Sequence, residues 1–133
     1  MLDTNVLVSA ILSPHGPPAA VLRALLSETI ELCFDERILF EYGDVLTRGK
    51  FSFDPEYVGE LITFLEASGY STIPAPLKIA LPDPEDQMFI EVAVASEADF
   101  LVTGNLKHFP GPARAGVKVV SPRAFLNAST VTD

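Results

Sequence analysis

Residues 83–105 are DPEDQMFIEVAVASEADFLVTGN, a stretch that joins a helical pattern to a strand pattern. Asp83 and Pro84 are typical of a helix start, and apolar residues at helical spacing continue that pattern through Glu97. The run Phe100–Thr103 is β-branched and aromatic, which is typical of a strand. A helix that leads directly into a strand predicts a unit of an α/β fold with a mainly parallel sheet.

The same alternation extends outward along the chain in both directions. Helices are predicted over 5–12, from 17 onward, and over 36–48, 55–67 and 122–126, with strands over 31–34, 71–73 and 117–120. The 133 residues suit one domain, 1–133, in which we expect 128–133 to be a frayed tail. Only Met1 and Leu2 precede Asp3, so the first strand is either very short or begins upstream of this sequence.

Composition excludes several classes of protein. Hydrophobic residues make up 48% of the chain and charged residues 20%, which excludes a disordered scaffold. The single cysteine, Cys33, excludes an intrachain disulfide framework and a cysteine-based zinc site. No membrane-length apolar run and no basic-then-apolar leader are present, so we expect a soluble, cytoplasmic protein.

The charge balance is strongly acidic. Nine Lys and Arg residues against 18 Asp and Glu residues leave a net charge of −9. A protein that holds nucleic acid mainly by counterion release is normally basic. This chain must therefore act on something else or bind cations that supply positive charge, unless its acidity serves solubility alone.

Acidic residues occur at positions that also have ordinary structural explanations. Asp3 lies where a strand meets a helix, which suits either a helix N-cap or a ligand site at the carboxyl end of a strand. Glu41 borders the apolar stripe of its predicted helix, from which a carboxylate can turn inward or reach water. Asp86 suits an acidic first turn, yet it shares its face with Phe89 and Ile90, which we expect to be buried.

A fourth polar position follows the strand at 100–103. Thr103, Gly104 and Asn105 suit an ordinary turn, but they also come at the carboxyl end of a strand, as Asp3 does. Carboxylate oxygens gathered at one sheet edge suit Mg²⁺ or Mn²⁺. Such ions activate water and neutralise charge at phosphorus during phosphodiester cleavage.

Four stretches of the chain together resemble the PIN-domain ribonucleases, and most closely the toxin components of bacterial toxin–antitoxin pairs. They are LDTNVLVSAIL at 2–12, LFEYGDVL at 39–46, the 83–105 stretch and VVSPRAFL at 119–126. The resemblance implies a three-layer α/β/α fold with a central, mainly parallel sheet. It also implies Mg²⁺- or Mn²⁺-dependent endonuclease cleavage of RNA that leaves a 5′-phosphate and a 3′-hydroxyl.

The resemblance carries over to individual acidic positions. The family's first three acids match Asp3, Glu41 and Asp86, which would be catalytic residues and metal ligands. Its fourth acidic position is Asn105 here, and an amide can position water but adds no charge. A second ion should therefore bind more weakly.

Polar neighbours complete the set of candidate residues. Asn5 and Thr103 match family positions that would orient Asp3 and a bound water. Lys107 and His108 follow directly and are candidates for contacts with substrate phosphate, although a histidine here also suits a surface turn. By analogy with the family, we expect RNA as substrate, an antitoxin protein as partner, a homodimer and no membrane association.

Two other functions are compatible with the same residues. An aspartyl-phosphate enzyme of the haloacid-dehalogenase type would need a second acid two positions after Asp3, where Asn5 stands. The stronger alternative is a binding module that keeps the fold, has activity weakened at Asn105, and acts through protein partners. That alternative predicts no Mn²⁺-dependent hydrolysis.

Overall fold

Apolar residues at helical spacing form six α-helices within residues 1–128, the part of the chain that this computed structural model describes. The helices are α1 Thr4–Leu12, α2 Pro17–Leu26, α3 Glu36–Leu46, α4 Pro55–Ser68, α5 Gln87–Ala95 and α6 Pro122–Ala128. Four two-residue strands lie among them: β1 Cys33–Phe34, β2 Tyr70–Ser71, β3 Leu101–Val102 and β4 Val119–Val120. The predicted α/β class is confirmed as a helix-rich fold with short strands. The part of the predicted frayed tail at 129–133 lies outside the described residues.

The strands pair in parallel, as predicted. Cys33 pairs with Tyr70, and Leu101 pairs with Val119. Leu2 forms a further parallel bridge with Val102, so β3 lies between the start of the chain and β4. The predicted strand lengths are wrong, because the ladders extend over only two residues. The pairings form two separate pairs, and the three-layer arrangement around one central sheet stays a prediction.

Two predicted helices differ from the observed ones. The helix predicted over 36–48 ends at Leu46, where the backbone N–H and the hydroxyl of Thr47 both donate to the Gly43 carbonyl (3.2 and 2.6 Å), and the chain then forms a 3₁₀ turn at Gly49–Phe51. The helix over 83–97 is divided into a 3₁₀ turn, Pro84–Asp86, followed by α5. Asp83 caps that turn by accepting from the backbone N–H of Glu85 (2.9 Å).

The core is built from one face of each helix. Helical spacing predicts a buried stripe of Ile38, Tyr42, Val45 and Leu46 on α3; Ile38, Tyr42 and Leu46 are completely buried, whereas Val45 is only partly buried. The Tyr42 hydroxyl donates to the Leu2 carbonyl and so joins α3 to the start of the chain. Within residues 1–128, the helices are all too short or too polar to cross a membrane.

Glu91 of α5 is buried, although its position in the helical pattern placed it away from the core face. Its carboxylate accepts from Arg37 (2.8 Å) and from the backbone N–H of Leu77 (2.9 Å). Burial alone would raise the pKa of Glu91, but hydrogen bonds from Leu77, Arg37 and Gln87 outweigh it and hold the pKa below its ordinary value. This ion pair joins α5 to α3, and it could not be predicted because its partner lies 54 residues away in the sequence.

Gly69 ends α4 where no larger residue fits. A Cβ there would lie 2.7 Å from the Leu32 carbonyl oxygen and 2.8 Å from that of Leu65.

We expect Gly69→Ala to lower the free energy of unfolding by about 1–3 kcal/mol, because backbone atoms must move. Gly59→Ala in the middle of α4 is the matched control, since nothing lies within 4 Å of its added methyl. That control should raise stability by roughly 0.5–1 kcal/mol, and equal urea midpoints for the two variants would contradict this account.

Candidate active site

Asp3 is buried at the junction between the Leu2 bridge and α1. It occupies the N-cap position of α1, but its side chain makes no capping hydrogen bond. Its carboxylate instead accepts from the Thr103 hydroxyl (2.8 Å) and the Asn5 side-chain amide (3.3 Å). The side chain is therefore directed to the carboxyl end of β3, where ligands bind in parallel sheets.

The turn after β3 is tied to the same junction. The Asn5 amide oxygen accepts from the backbone N–H of Gly104 (3.1 Å), and the Thr103 hydroxyl accepts from that of Asn105 (3.0 Å). Thr103 is completely buried. These bonds fix Asp3 relative to Asn105 across about 100 residues of sequence separation.

Glu41 turns inward from α3. The Thr4 hydroxyl donates to its carboxylate across 3.2 Å, so the side chain lies against the start of α1, next to the residue that follows Asp3. The helical pattern of the sequence is compatible with both an inward and an outward orientation of Glu41. Thr4 was not singled out, although its place directly after Asp3 at a helix start was an available signal.

Asp86 ends the 3₁₀ turn before α5, and its side chain is only 14% exposed. One carboxylate oxygen, Oδ2, is buried and has no hydrogen-bond partner among residues 1–128. The imidazole Nδ1 of His108 lies 3.4 Å from that oxygen, a contact that becomes an ion pair when the ring is protonated. A buried carboxylate oxygen without a partner is costly unless something outside the chain satisfies it.

Asn105 and His108 close one side of the site. The Asn105 side-chain amide and His108 Nε2 are 3.0 Å apart. With the amide as donor, Nε2 accepts, and the proton of a neutral ring lies on Nδ1, which faces Asp86. Lys107 is exposed, and no hydrogen bond or ion pair in the described chain joins its side chain to the other candidate residues.

Like charges crowd the site. Burial raises the pKa of Asp86 to about 6, and the charges of Asp3, Asp83 and Glu41 add to this shift while His108 opposes it. Burial also raises the pKa of Asp3, against the hydrogen bond from Thr103. His108 also opposes the rise in the pKa of Asp3, and a bound cation would lower the pKa of both aspartates further.

The raised pKa of Asp86 predicts a pH-dependent effect of Asp86→Asn in EDTA. Between pH 4 and pH 6 the folded parent holds more protons at residue 86 than the unfolded chain does, so this carboxyl group destabilises the fold as pH rises. Asparagine does not titrate. The variant should gain about 1–2 kcal/mol over the parent by pH 7, allowing for solvent screening. Thermal melts from pH 4 to 8 measure the difference, and a constant difference would contradict the shift.

Chemically, the donor set suits a hard cation. It offers carboxylate oxygens from Asp3, Glu41 and Asp86, and the buried Asp86 Oδ2 accepts no hydrogen bond within the described residues. As the side chains stand, no group of three or more His, Cys, Asp or Glu residues in 1–128 is arranged to hold an ion. The three-carboxylate metal site therefore stays a prediction that the donor chemistry supports.

Comparison with known proteins supplies one match. A family model described as PIN domain matches residues 1–107, a span that contains Asp3, Glu41, Asp86 and Asn105. Neither the curated proteins nor the solved structures give a significant match.

Proposed function

The chain belongs to the PIN-domain family, and from that premise we propose that it is a metal-dependent endoribonuclease. PIN domains are generally nucleases and typically use divalent metals. The observation that carries the proposal for this chain is the buried Oδ2 of Asp86, which accepts no hydrogen bond from any residue in 1–128 and feels the charges of Asp3 and Glu41. In this proposal those three carboxylates hold Mg²⁺ or Mn²⁺.

Each residue has a distinct role in the proposal. When bound, Mg²⁺ or Mn²⁺ would activate water and neutralise charge on the scissile phosphate. Thr103 and Asn5 hold the Asp3 carboxylate in place through their hydrogen bonds. Asn105, restrained by Thr103 and His108, would position water.

Positive charge for the substrate would come from the 3₁₀ turn Leu106–His108. His108 already faces the acidic site, and Lys107 is exposed beside it. We assign both to contacts with the RNA phosphates that flank the cleaved bond. The arrangement accounts for an acidic protein that acts on a polyanion, because the ion supplies the charge that the chain lacks.

Incubation of the purified chain with single-stranded RNA tests the function directly. We expect cleavage in Mn²⁺, complete loss of cleavage in EDTA, and recovery when excess Mn²⁺ is restored. The products should carry 5′-phosphate and 3′-hydroxyl ends, whereas a 2′,3′-cyclic phosphate would reveal a metal-independent contaminant. Cleavage by the chain that persists in EDTA would rule out the mechanism.

The proposal extends to a biological role. We assign the chain as the toxin of a toxin–antitoxin pair, working in the cytoplasm as a homodimer and held inactive by an antitoxin protein. These parts rest on the resemblance of the four sequence stretches. Co-expression with the product of a neighbouring small gene tests them, because an antitoxin should co-purify with the chain and suppress cleavage.

A second candidate function follows from Asn105. Its amide is uncharged and is engaged with His108, so the site has one acid fewer than the family pattern. A PIN-fold module with weakened catalysis would then act through protein partners. Asp86→Asn separates the two functions, since a nuclease should lose its Mn²⁺-dependent cleavage with this substitution, whereas a pure binding module shows no such cleavage in the parent or in the variant.

A further inference from the structure

A groove of about 680 Å³ runs between α3 and the start of α5. Its lining includes Glu36, Phe40 and Glu41 from α3, and Glu85 and Met88 from the region where α5 begins. We call this the Phe40 groove. Glu41 belongs both to this groove and to the candidate active site, so the two are continuous.

Phe40 is the unusual member of the lining. Its side chain is 76% exposed, whereas Ile38 and Tyr42 on the opposite face of α3 form the core. The ring therefore contributes little to packing. A single exposed aromatic is common on protein surfaces, but this one lies next in sequence to a candidate metal ligand and faces the same groove.

The charges in the groove determine which part of an RNA strand fits it. Glu36 and Glu85 line it with negative charge. The guanidinium of Arg37 is engaged by Asp35 (2.7 Å) and Glu91 (2.8 Å). Phosphates are thus repelled from the groove, while a nucleobase has an aromatic ring on which to stack and carboxylates that accept from its amino group.

We propose that the Phe40 groove binds one unpaired nucleobase adjacent to the cleaved phosphate, stacked on Phe40, and that it favours cytosine and adenine over uracil. The preference follows because cytosine and adenine each present an exocyclic amino donor to Glu36 and Glu85, whereas uracil presents a carbonyl at the corresponding position. This inference rests on the proposed function and adds to it a preference for certain bases at one position of the RNA strand.

Cleavage kinetics test the role of the ring. Phe40→Ala should raise KM roughly tenfold to 100-fold, as loss of one stacked base does, and should change kcat less than twofold. Tyr57→Ala is the matched control, because Tyr57 is an exposed aromatic on α4 outside the groove. Equal KM values for the two variants would overturn the inference, as would a loss confined to kcat. Glu36→Gln should reduce the preference for cytosine over uracil in otherwise identical substrates.

A fluorescence measurement tests the groove without relying on cleavage. The chain contains no tryptophan, so Phe40→Trp introduces a single tryptophan at the groove that can be excited selectively over the tyrosines, and Tyr57→Trp provides its control. In Ca²⁺, an eight-nucleotide oligocytidine should quench the Phe40→Trp emission. The control variant and an abasic ribose-phosphate chain of the same length should give no quenching.

The two experiments distinguish the inference from the proposed function. If the parent chain cleaves no RNA but oligocytidine still quenches the fluorescence, the nuclease assignment fails and the base site stands. If the parent cleaves RNA but neither KM nor fluorescence responds at position 40, the base site fails alone. Dissociation of a dimer by Phe40→Ala with unchanged KM would instead assign the groove to contact between copies, and that result also overturns the inference.

Discussion

Replacing Asp3 by asparagine should lower Mn²⁺-dependent RNA cleavage by at least roughly 100-fold. Removing a side chain that only orients a metal ligand already lowers metal affinity or activity by roughly 10- to 100-fold, and Asp3 is proposed to be a ligand itself. The substitution keeps the shape of the side chain and an oxygen that can accept from Thr103. It also removes a buried carboxyl group whose pKa is raised. The variant should therefore fold with a Tm at or above that of the parent.

Asp44→Asn is the matched control for this substitution. Asp44 lies on α3 near the candidate site in sequence, but its side chain is 53% exposed and, within residues 1–128, pairs only with Arg48 at the surface. Its replacement should leave the cleavage rate within about twofold of the parent's, because a surface ion pair contributes little to stability. Equal activities for Asp3→Asn and Asp44→Asn would show that Asp3 takes no part in catalysis.

Mn²⁺ should stabilise the parent strongly. At a concentration of 100 times Kd, a ligand that binds only the folded state adds about 2.7 kcal/mol, which corresponds to roughly 8–12 °C in Tm for a chain of this size. Asp86→Asn should lose most of this shift, because the substitution removes the carboxylate charge and the buried Oδ2, which accepts no hydrogen bond from residues 1–128. Thermal melts at pH 8, above the raised pKa of Asp86, give the largest contrast.

This measurement is independent of any RNA substrate. Asp44→Asn should retain the full Mn²⁺ shift, since Asp44 lies outside the site. The same shift in the parent and in Asp86→Asn would mean that Mn²⁺ binds elsewhere on this acidic chain. No shift in the parent would favour the binding-module alternative.

Local patterns predicted much of the fold. The stripe of Ile38, Tyr42 and Leu46 followed from helical spacing, and the parallel pairing followed from the alternation of helices with strands. The residues at which helices and strands begin and end were less predictable. Asp86 lies in a 3₁₀ turn that precedes α5. The spacing of apolar residues does not distinguish such a turn from the first turn of an α-helix.

In the candidate site too, the positions of residues along the sequence were predictable, whereas their contacts with distant residues were not. Spacing indicated that Asp3 and Thr103 come at strand ends, and the structure joins them by a hydrogen bond. The orientation of Glu41 depends on Thr4, 37 residues away, and the burial of Glu91 depends on Arg37. Such contacts follow from how helices pack together, which a single sequence does not specify.

A crystal soaked in Mn²⁺ and measured at the manganese absorption edge tests the central claim most directly. The account predicts an anomalous peak within coordination distance of carboxylate oxygens from Asp3, Glu41 and Asp86, roughly 2.0–2.6 Å for oxygen ligands of such ions. A well-ordered site with no such peak, or with the ion bound only at other surface acids, would contradict it.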